Sequence, residues 1–462
     1  MSPQPSNRSK RKRHPAKTPP PEENVDAVAT NGPQFAEATA TPDPTQFRVQ
    51  HGSDTQAYSI LDSQKGQLEP RPFPVVEGVP EPALTLEKVL GTQGNAIVKS
   101  IEKAEQLVFH AVGDTGNTRG PRDQTRVADK MVADYSDPDP RSVPSFLYHL
   151  GDVVYSFGEA QYYYDQFYDP YRDYAAPIFA IPGNHDGMVS PLTSLQSLEA
   201  FRANFCTAGE PSHRSPEAGG LVRTAQIQPG VYFTLEAPFV RILGLYSNCL
   251  EDPGVISAQG DEFPYLGNAQ LDFIKAALKR VKTDKFEGAV IVAAHHPPYV
   301  AQIVSKVDKG DKSDKELSVA RHGGSPQMLA DIDSACKEAG VWPHAMLSGH
   351  AHNYQRFTRR LDGRETPFII SGNGGHAVAR LTHKGTPTIR VPIVQKTLSN
   401  GSDTVTFDSY DDTDFGYLRI LVNSKQLRIE YHPASDGGDA KTPDDFVTVD
   451  IAKRTLTHFV AS

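Results

Sequence analysis

Two histidines stand one residue apart in LSGHAHNYQRF, residues 347–357, after a short apolar run and a glycine. On a strand, His350 and His352 would point to opposite faces, so a shared ligand requires a loop beyond the strand's end. Other residues able to hold a cation are spread along the chain: Asp114 in GDTG, Asp152 in GDVVY, Asn184, His185 and Asp186 in GNHD, and the pair His295-His296 in AHHP. Carboxylate and amide oxygens suit hard cations, and imidazole suits borderline ones.

What would bring these residues together is the element that precedes each of them. LVFHAV runs into Gly113-Asp114, SFLYHL into Gly151-Asp152, PIFAIP into Gly183-Asn184-His185-Asp186, AVIVAA into His295-His296, and HAML into Ser348-Gly349-His350. Each is an apolar run of strand length ending in a polar loop. Gly-Asp is ordinary turn chemistry and occurs five times in the chain, but only Asp114 and Asp152 follow such runs. Helical spacing lies between several runs. In NAQLDFIKAALKRVK, Leu271, Ile274, Leu278 and Val281 line one face, with Asn268 as the expected N-cap. In SPQMLADIDSACKEAG, Ser325 is the expected cap, Pro326 the first helical residue and Gly340 the stop. Buried strands alternating with helices give an α/β sandwich, and in such sheets ligands bind beyond the carboxyl ends of the strands.

Composition bounds the reading. A chain of 462 residues with 38% hydrophobic content can bury a large core, and no run of 18 apolar residues is present to span a membrane. Cys206, Cys249 and Cys336 are too widely spaced for a zinc or redox motif and read as reduced and structural. The formal charge of −9 includes six basic and no acidic residues in the first 17, so the remainder carries −15. Such an acidic body offers no nucleic-acid-binding surface beyond that basic tail. No apolar stretch follows the tail's basic residues, which gives a cytoplasmic expectation. Residues 1–45, rich in Pro, Ala, Thr, Ser and Glu, are expected to be a disordered tail. Residues 46–104 form an N-terminal extension with a helical pattern in NAIVKSIEKAEQ. Residues 105–435 are expected to be a catalytic domain, and 436–462 a C-terminal strand packing on it.

The ordered set GDTG, GDVVY, GNHD, AHHP and GHAH, with Tyr354 and Arg356 completing the last block, resembles the five blocks of calcineurin-like metallophosphoesterases. More closely, it resembles their purple acid phosphatase-like branch. The resemblance implies a four-layer α/β/β/α metallophosphoesterase sandwich with a dimetal site at the strand C-terminal ends. It implies one metal on Asp114, Asp152, Tyr155 and His352, and a second on Asp152, Asn184, His295 and His350. His295 fits the family's His-x-Pro pattern, which leaves His296 behind the ligands or facing substrate. His185 would be the proton donor or transition-state stabiliser, with Asp186 orienting it. The other branch carries a histidine two residues after the first aspartate. Here that position is Gly116, and Tyr155 would fill the gap. A phenol with an ordinary pKa near 10 gives up its proton only beside a strong Lewis acid, so the expected pair is iron(III) with divalent iron, zinc or manganese.

The activity implied is hydrolysis of a phosphate ester by in-line attack of a metal-bound hydroxide. An acid-phosphatase-like monoesterase leads. A phosphodiesterase acting on nucleotides, lipids or cell-wall polymers, and a binding protein that keeps the fold without turnover, are the alternatives. Neither a GxxxxGK[ST] loop nor a GxSxG elbow is present. Two segments stay open. The aromatic run QYYYDQFYDPYRDY, 161–174, is either a helix packing its rings on the core or a rim over the metals. The turn Asn373–His376 could approach the site with backbone groups.

Overall fold

A computed structural model of the chain describes residues 80–459 apart from 119, 189–196, 207–226, 248–253, 261, 306–314, 321–325, 382–388, 397–402 and 436–441. The tail expected at 1–45, the cap residue Ser325 and Cys249 lie outside the described residues. In chain order the strands begin with β1 (Ala83–Thr85), β2 (Leu107–Val112), β3 (Leu147–His149), β4 (Ile178–Ala180), β5 (Phe233–Ala237) and β6 (Val240–Leu245). There follow β7 (Ala289–Ala294), β8 (Val300–Ser305), β9 (Lys315–Ala320), β10 (Ala345–Ser348), β11 (Tyr354–Leu361) and β12 (Arg364–Ser371). The last six are β13 (Ile393–Lys396), β14 (Asp403–Asp411), β15 (Gly416–Val422), β16 (Gln426–Pro433), β17 (Asp445–Asp450) and β18 (Thr455–Leu456).

Among the described residues, one sheet has nine strands in the order β1-β5-β6-β7-β10-β12-β11-β14-β13 and a second has seven in the order β18-β17-β16-β15-β2-β3-β4. β2, β3 and β4 run parallel, as do β6, β7, β10 and β12, so each sheet delivers several strand C-termini to one end. The five apolar runs of the sequence are β2, β3, β4, β7 and β10.

Alternation along the strands builds the layers. Phe109 and Ala111 of β2, Tyr148 of β3, Ile291 of β7, Leu347 of β10, Ile369 of β12 and Ile420 of β15 share one buried cluster to which both sheets contribute. Their neighbours Val112, Leu147, Val290, Val292 and Met346 pack instead with helical residues. Those come from the helices Arg122–Ala133, Ala269–Thr283 and Pro326–Ala339, through Val127 and Met131, Phe273, Ile274 and Leu278, and Met328 and Ile332 respectively. The result is a mixed α/β sandwich of two sheets with helices on their outer faces, the class the sequence indicated. No helix of the described residues is long and apolar enough to cross a membrane.

Some local expectations hold and others are altered. Asn268 occupies the N-cap of Ala269–Thr283, but its side chain makes no capping bond and accepts instead from Ala258 N at 3.3 Å. Gly340 ends Pro326–Ala339 with a φ of 68°. The aromatic run is not a regular helix. It forms a 3₁₀ turn at Ala160–Tyr162 and a π-helical turn at Tyr164–Tyr168, and its rings Tyr162, Tyr163, Phe167, Tyr168, Tyr171 and Tyr174 are buried in the core. β1, inside the segment read as an extension, pairs parallel with β5 and buries Leu84. Beyond β15 and β16, the C-terminal residues supply β17 and β18 at the far edge of the second sheet.

Candidate metal centre

The ligand-type residues sit where strands stop and the backbone turns sharply. Asp114, Asp152, His350 and His352 all have left-handed backbone, with φ of 57°, 55°, 70° and 42°. Non-glycine residues rarely adopt that region unless their surroundings hold them there. Here the loops hold one another: Asp114 N donates to Gly151 O at 2.9 Å, Thr115 N to Asp152 O at 3.2 Å, and Gly349 N to His295 O at 3.0 Å. The loop after β4 approaches so closely that a Cβ at Gly183 would collide with Asp152 Oδ1. This geometry answers the question raised by His350 and His352, since neither continues a strand and both turn inward.

The seven expected ligands converge into two overlapping sets. In the first, Tyr155 Oη lies 3.1 Å from Asp114 Oδ1, 2.9 Å from Asp152 Oδ2 and 3.2 Å from His352 Nε2. His352 Nε2 is 3.3 Å from Asp114 Oδ1. In the second, His295 Nε2 lies 3.3 Å from Asp152 Oδ2 and 3.0 Å from Asn184 Oδ1, and His350 Nδ1 is 3.1 Å from that same amide oxygen. Asp152 Oδ2 belongs to both. Asp114, Asp152 and His295 alone bring ligand atoms within 4.8 Å of one another.

The chemistry of these atoms fits cations. His295 Nδ1 donates to Leu150 O at 2.9 Å, so in its neutral form the ring turns its Nε2 lone pair toward two acceptor oxygens. Acceptors facing one another repel until a proton or a cation lies between them. The side-chain nitrogen of Asn184 is buried with no hydrogen-bond partner among the described residues, which leaves the amide oxygen as its working end. The charges agree. Burial resists ionisation of His295, yet the Asp152 and Asp114 carboxylates hold it up to about 9, so without a cation the ring favours holding a proton in the cation's place. Burial, reinforced by the same two carboxylates, pushes the Tyr155 phenol well above its ordinary range. Ionised Tyr155 therefore requires strong positive charge beside it.

Residues around the ligands fix their direction. Gln166, in the π-helical turn, grips the backbone of Tyr155: its Oε1 accepts from Tyr155 N at 2.9 Å and its Nε2 donates to Tyr155 O at 2.7 Å. His149, in the strand below, accepts from Gly151 N through Nδ1 and donates from Nε2 to Thr115 Oγ1 at 2.9 Å. Burial lowers it to about 3, so it stays neutral. His185 donates from Nδ1 to Ser156 O at 2.7 Å, and its ring lies 4.3 Å from that of Tyr155.

One expected role is corrected, and an open one is narrowed. Asp186 does not orient His185. Its carboxylate accepts from Val153 N, Val154 N and Gly183 N at 2.9 to 3.2 Å, joining the loops after β3 and β4, and the atom that orients His185 is Ser156 O. Burial and the nearby Asp152 push Asp186 up to about 7. Of the two places left open for His296, behind the ligands or facing substrate, the structure shows the first. The residue has no exposed surface, hydrogen-bonds Ser247 Oγ at 2.8 Å, and backs the ring of His350 at 4.4 Å. Tyr354 and Arg356, part of the last block, lie away from the donors and bond to Asp445 of β17, which ties the two sheets together.

Two contributors lie in the segments that the sequence left open, Gln166 in the aromatic run and His376 at the end of the turn Asn373–His376. The side chain of His376, rather than only the backbone of its turn, reaches the site: its ring stacks on Tyr155 at 3.5 Å and 9°.

The model of the family described as calcineurin-like phosphoesterase matches residues 107–354, more than half of the chain. The chain belongs to the calcineurin-like phosphoesterase family. The matched segment runs from the start of β2 to the start of β11 and contains all seven candidate ligands of this calcineurin-like phosphoesterase together with His185. Solved structures similar to it include GAP50, described as the anchor in the inner membrane complex of Plasmodium. That structure is 13% identical over 75% of this chain and 88% of its own, with a TM-score of 0.44. The structure of PhoD is 12% identical over 77% of this chain and 72% of its own, with a TM-score of 0.43. No curated protein sequence matches this calcineurin-like phosphoesterase.

Proposed function

We propose that the protein is a dimetal phosphomonoesterase of the purple acid phosphatase-like branch. Asp114, Asp152, Tyr155 and His352 would hold iron(III), and Asp152, Asn184, His295 and His350 a divalent iron, zinc or manganese ion. The observation that carries this reading is the position of Asp152 Oδ2, within 3.3 Å of donors from both sets while Tyr155 Oη touches two carboxylates. The first set holds three ionisable oxygens and one imidazole. The second has one shared carboxylate, a neutral amide and two imidazoles. The first therefore suits the harder, more highly charged ion. When bound, such ions act as Lewis acids that lower the pKa of water and offset the charge of a phosphate ester.

The chain's own groups supply the rest. His185 N donates to Asp152 Oδ1 at 2.8 Å, so the residue is tied to the shared carboxylate. With Nδ1 engaged by Ser156 O, Nε2 is the ring atom that passes a proton to the leaving oxygen. His295 is aimed by Leu150 O, and such carbonyl partners set which ring nitrogen faces the metal. Asp186 keeps the loops after β3 and β4 in register and so holds Asp152 and His185 in one frame.

The test is a comparison of mono- and bis-aryl phosphates on metal-replete protein. Turnover of the monoester should exceed that of the diester, vanish on chelation and return when metal is restored. A diester preference would overturn the monoesterase assignment. No turnover of either compound between about pH 4 and 9 would overturn the hydrolase reading altogether.

A further inference from the structure

We infer that His376 is a positioning residue for Tyr155, holding its phenol against the first donor set and linking it to His185; this rests on the metal-centre reading above. His376 lies beyond the segment matched to the family, in the turn SGNGGH that follows β12. Its placement is over-determined. Its backbone N–H donates to Asp114 O at 3.0 Å, and its Nδ1 donates to Gly116 O at 2.8 Å. Gly116 itself is held tightly, since a Cβ there would lie 2.5 Å from Gln166 Oε1 and 2.6 Å from Val153 O, so the carbonyl that accepts from His376 sits in a fixed loop. Where the related branch would carry a histidine, this chain thus leaves a bare carbonyl and brings an imidazole from another loop.

The ring is set flat on Tyr155, 3.5 Å between centroids and 9° between planes. His185 approaches the same phenol at 4.3 Å and 40°, and the two imidazoles are 6.5 Å apart, so the phenol is the middle ring of three. The edge of His352 completes the enclosure, with its ring 5.1 Å from that of His376. Gln166 fixes the backbone of Tyr155, and Asp114 and Asp152 meet its Oη, which leaves the flanks of the ring to these neighbours. An aromatic face in van der Waals contact blocks the swing that would carry the phenol oxygen out of reach of Asp114 and Asp152. Metal ligands tolerate little such motion, and partners that aim them matter nearly as much as the ligands themselves.

Three variants separate the ring from the hydrogen bond: His376→Ala removes both, His376→Phe keeps a flat ring, and His376→Gln keeps a donor for Gly116 O. The readouts are metal equivalents retained after dialysis and, for iron-loaded protein, the visible absorption band. His376→Ala should weaken retention of the first-set ion by about 10- to 100-fold while the second equivalent stays. His376→Phe should restore both retention and band, and His376→Gln should not. If His376→Ala fails to fold, the contrast between Phe and Gln decides alone. Wild-type retention in the Ala variant, with Tyr155→Phe losing one equivalent, would overturn this inference and leave the metal-centre reading intact. Rescue by Gln rather than Phe would also overturn it. Wild-type protein that retained no metal would bring down both.

Discussion

Every residue of β7 is buried along a regular strand, whereas beyond the strand ends four donor residues hold left-handed backbone and two carboxylates meet the phenol of Tyr155. The scaffold follows the ordinary rules of a buried sheet: apolar side chains, alternating faces and satisfied ladders. The donor loops break several of those rules at once. Residues held against their own conformational and electrostatic preferences are stabilised from outside, by neighbouring loops and by whatever cation they bind. The comparison therefore teaches a division of labour. Substitutions among the donors should damage binding and turnover with little effect on the metal-free fold, and substitutions in the sheets should do the reverse.

Asp152→Asn gives the largest expected effect. It removes the carboxylate common to both sets, so metal retention should fall at both positions and turnover should drop by at least about 10³-fold. The melting temperature of the metal-free protein should stay near that of the wild type. A collapse of the metal-free fold would break the comparison from the donor side. Next comes Ile291→Ala in the middle of β7, where the side chain has no exposed surface and sits in the cluster shared by the two sheets. The expected loss is about 2–5 kcal/mol of unfolding free energy, with both metal equivalents retained. Loss of metal without loss of stability would break the comparison from the scaffold side.

The smallest effect concerns His344, which accepts from Val290 N and donates to Ile451 O inside the scaffold. Burial, helped by Arg454, lowers it from 6.5 to about 4. Between those values the unfolded chain binds a proton that the folded chain refuses. This residue therefore makes stability fall as pH drops from about 6.5 to about 4. Equilibrium unfolding across that window should show a shallower decline in His344→Gln. An unchanged slope would remove His344 from the account of acid sensitivity.

Much of this arrangement could be read from the chain because fully buried parallel strands appear as continuous apolar runs, and each run here ends at a donor. The family resemblance then assigned seven donors, and the structure brings all seven into two sets sharing Asp152. What escaped the sequence depended on partners far along the chain. β1 is three residues in a proline-rich stretch and becomes a strand through pairing with β5. Asn268 stands at a helix start, but Ala258 N claims its side chain. In the aromatic run, the side-chain amide of Gln166 bonds to the backbone of Tyr155 and the rings pack through a π-helical turn that their spacing does not distinguish from a regular helix. Asp186 was placed beside His185 by adjacency, yet consecutive residues of a helical turn do not face each other, and its carboxylate turns to the loop after β3. His376 belongs to no motif and reaches Tyr155 only because β12 ends beside β10.

The central claim is that Tyr155 completes a first metal position distinct from the second, and metal analysis with visible spectroscopy on wild-type protein and Tyr155→Phe tests it most directly. The wild type should hold two equivalents, one of them iron, and absorb broadly in the visible through phenolate-to-iron charge transfer. Tyr155→Phe should lose the band and the tightly held iron while keeping the second ion on Asp152, Asn184, His295 and His350. A colourless wild type, fully active with two divalent ions and unchanged in metal content by Tyr155→Phe, would contradict the account.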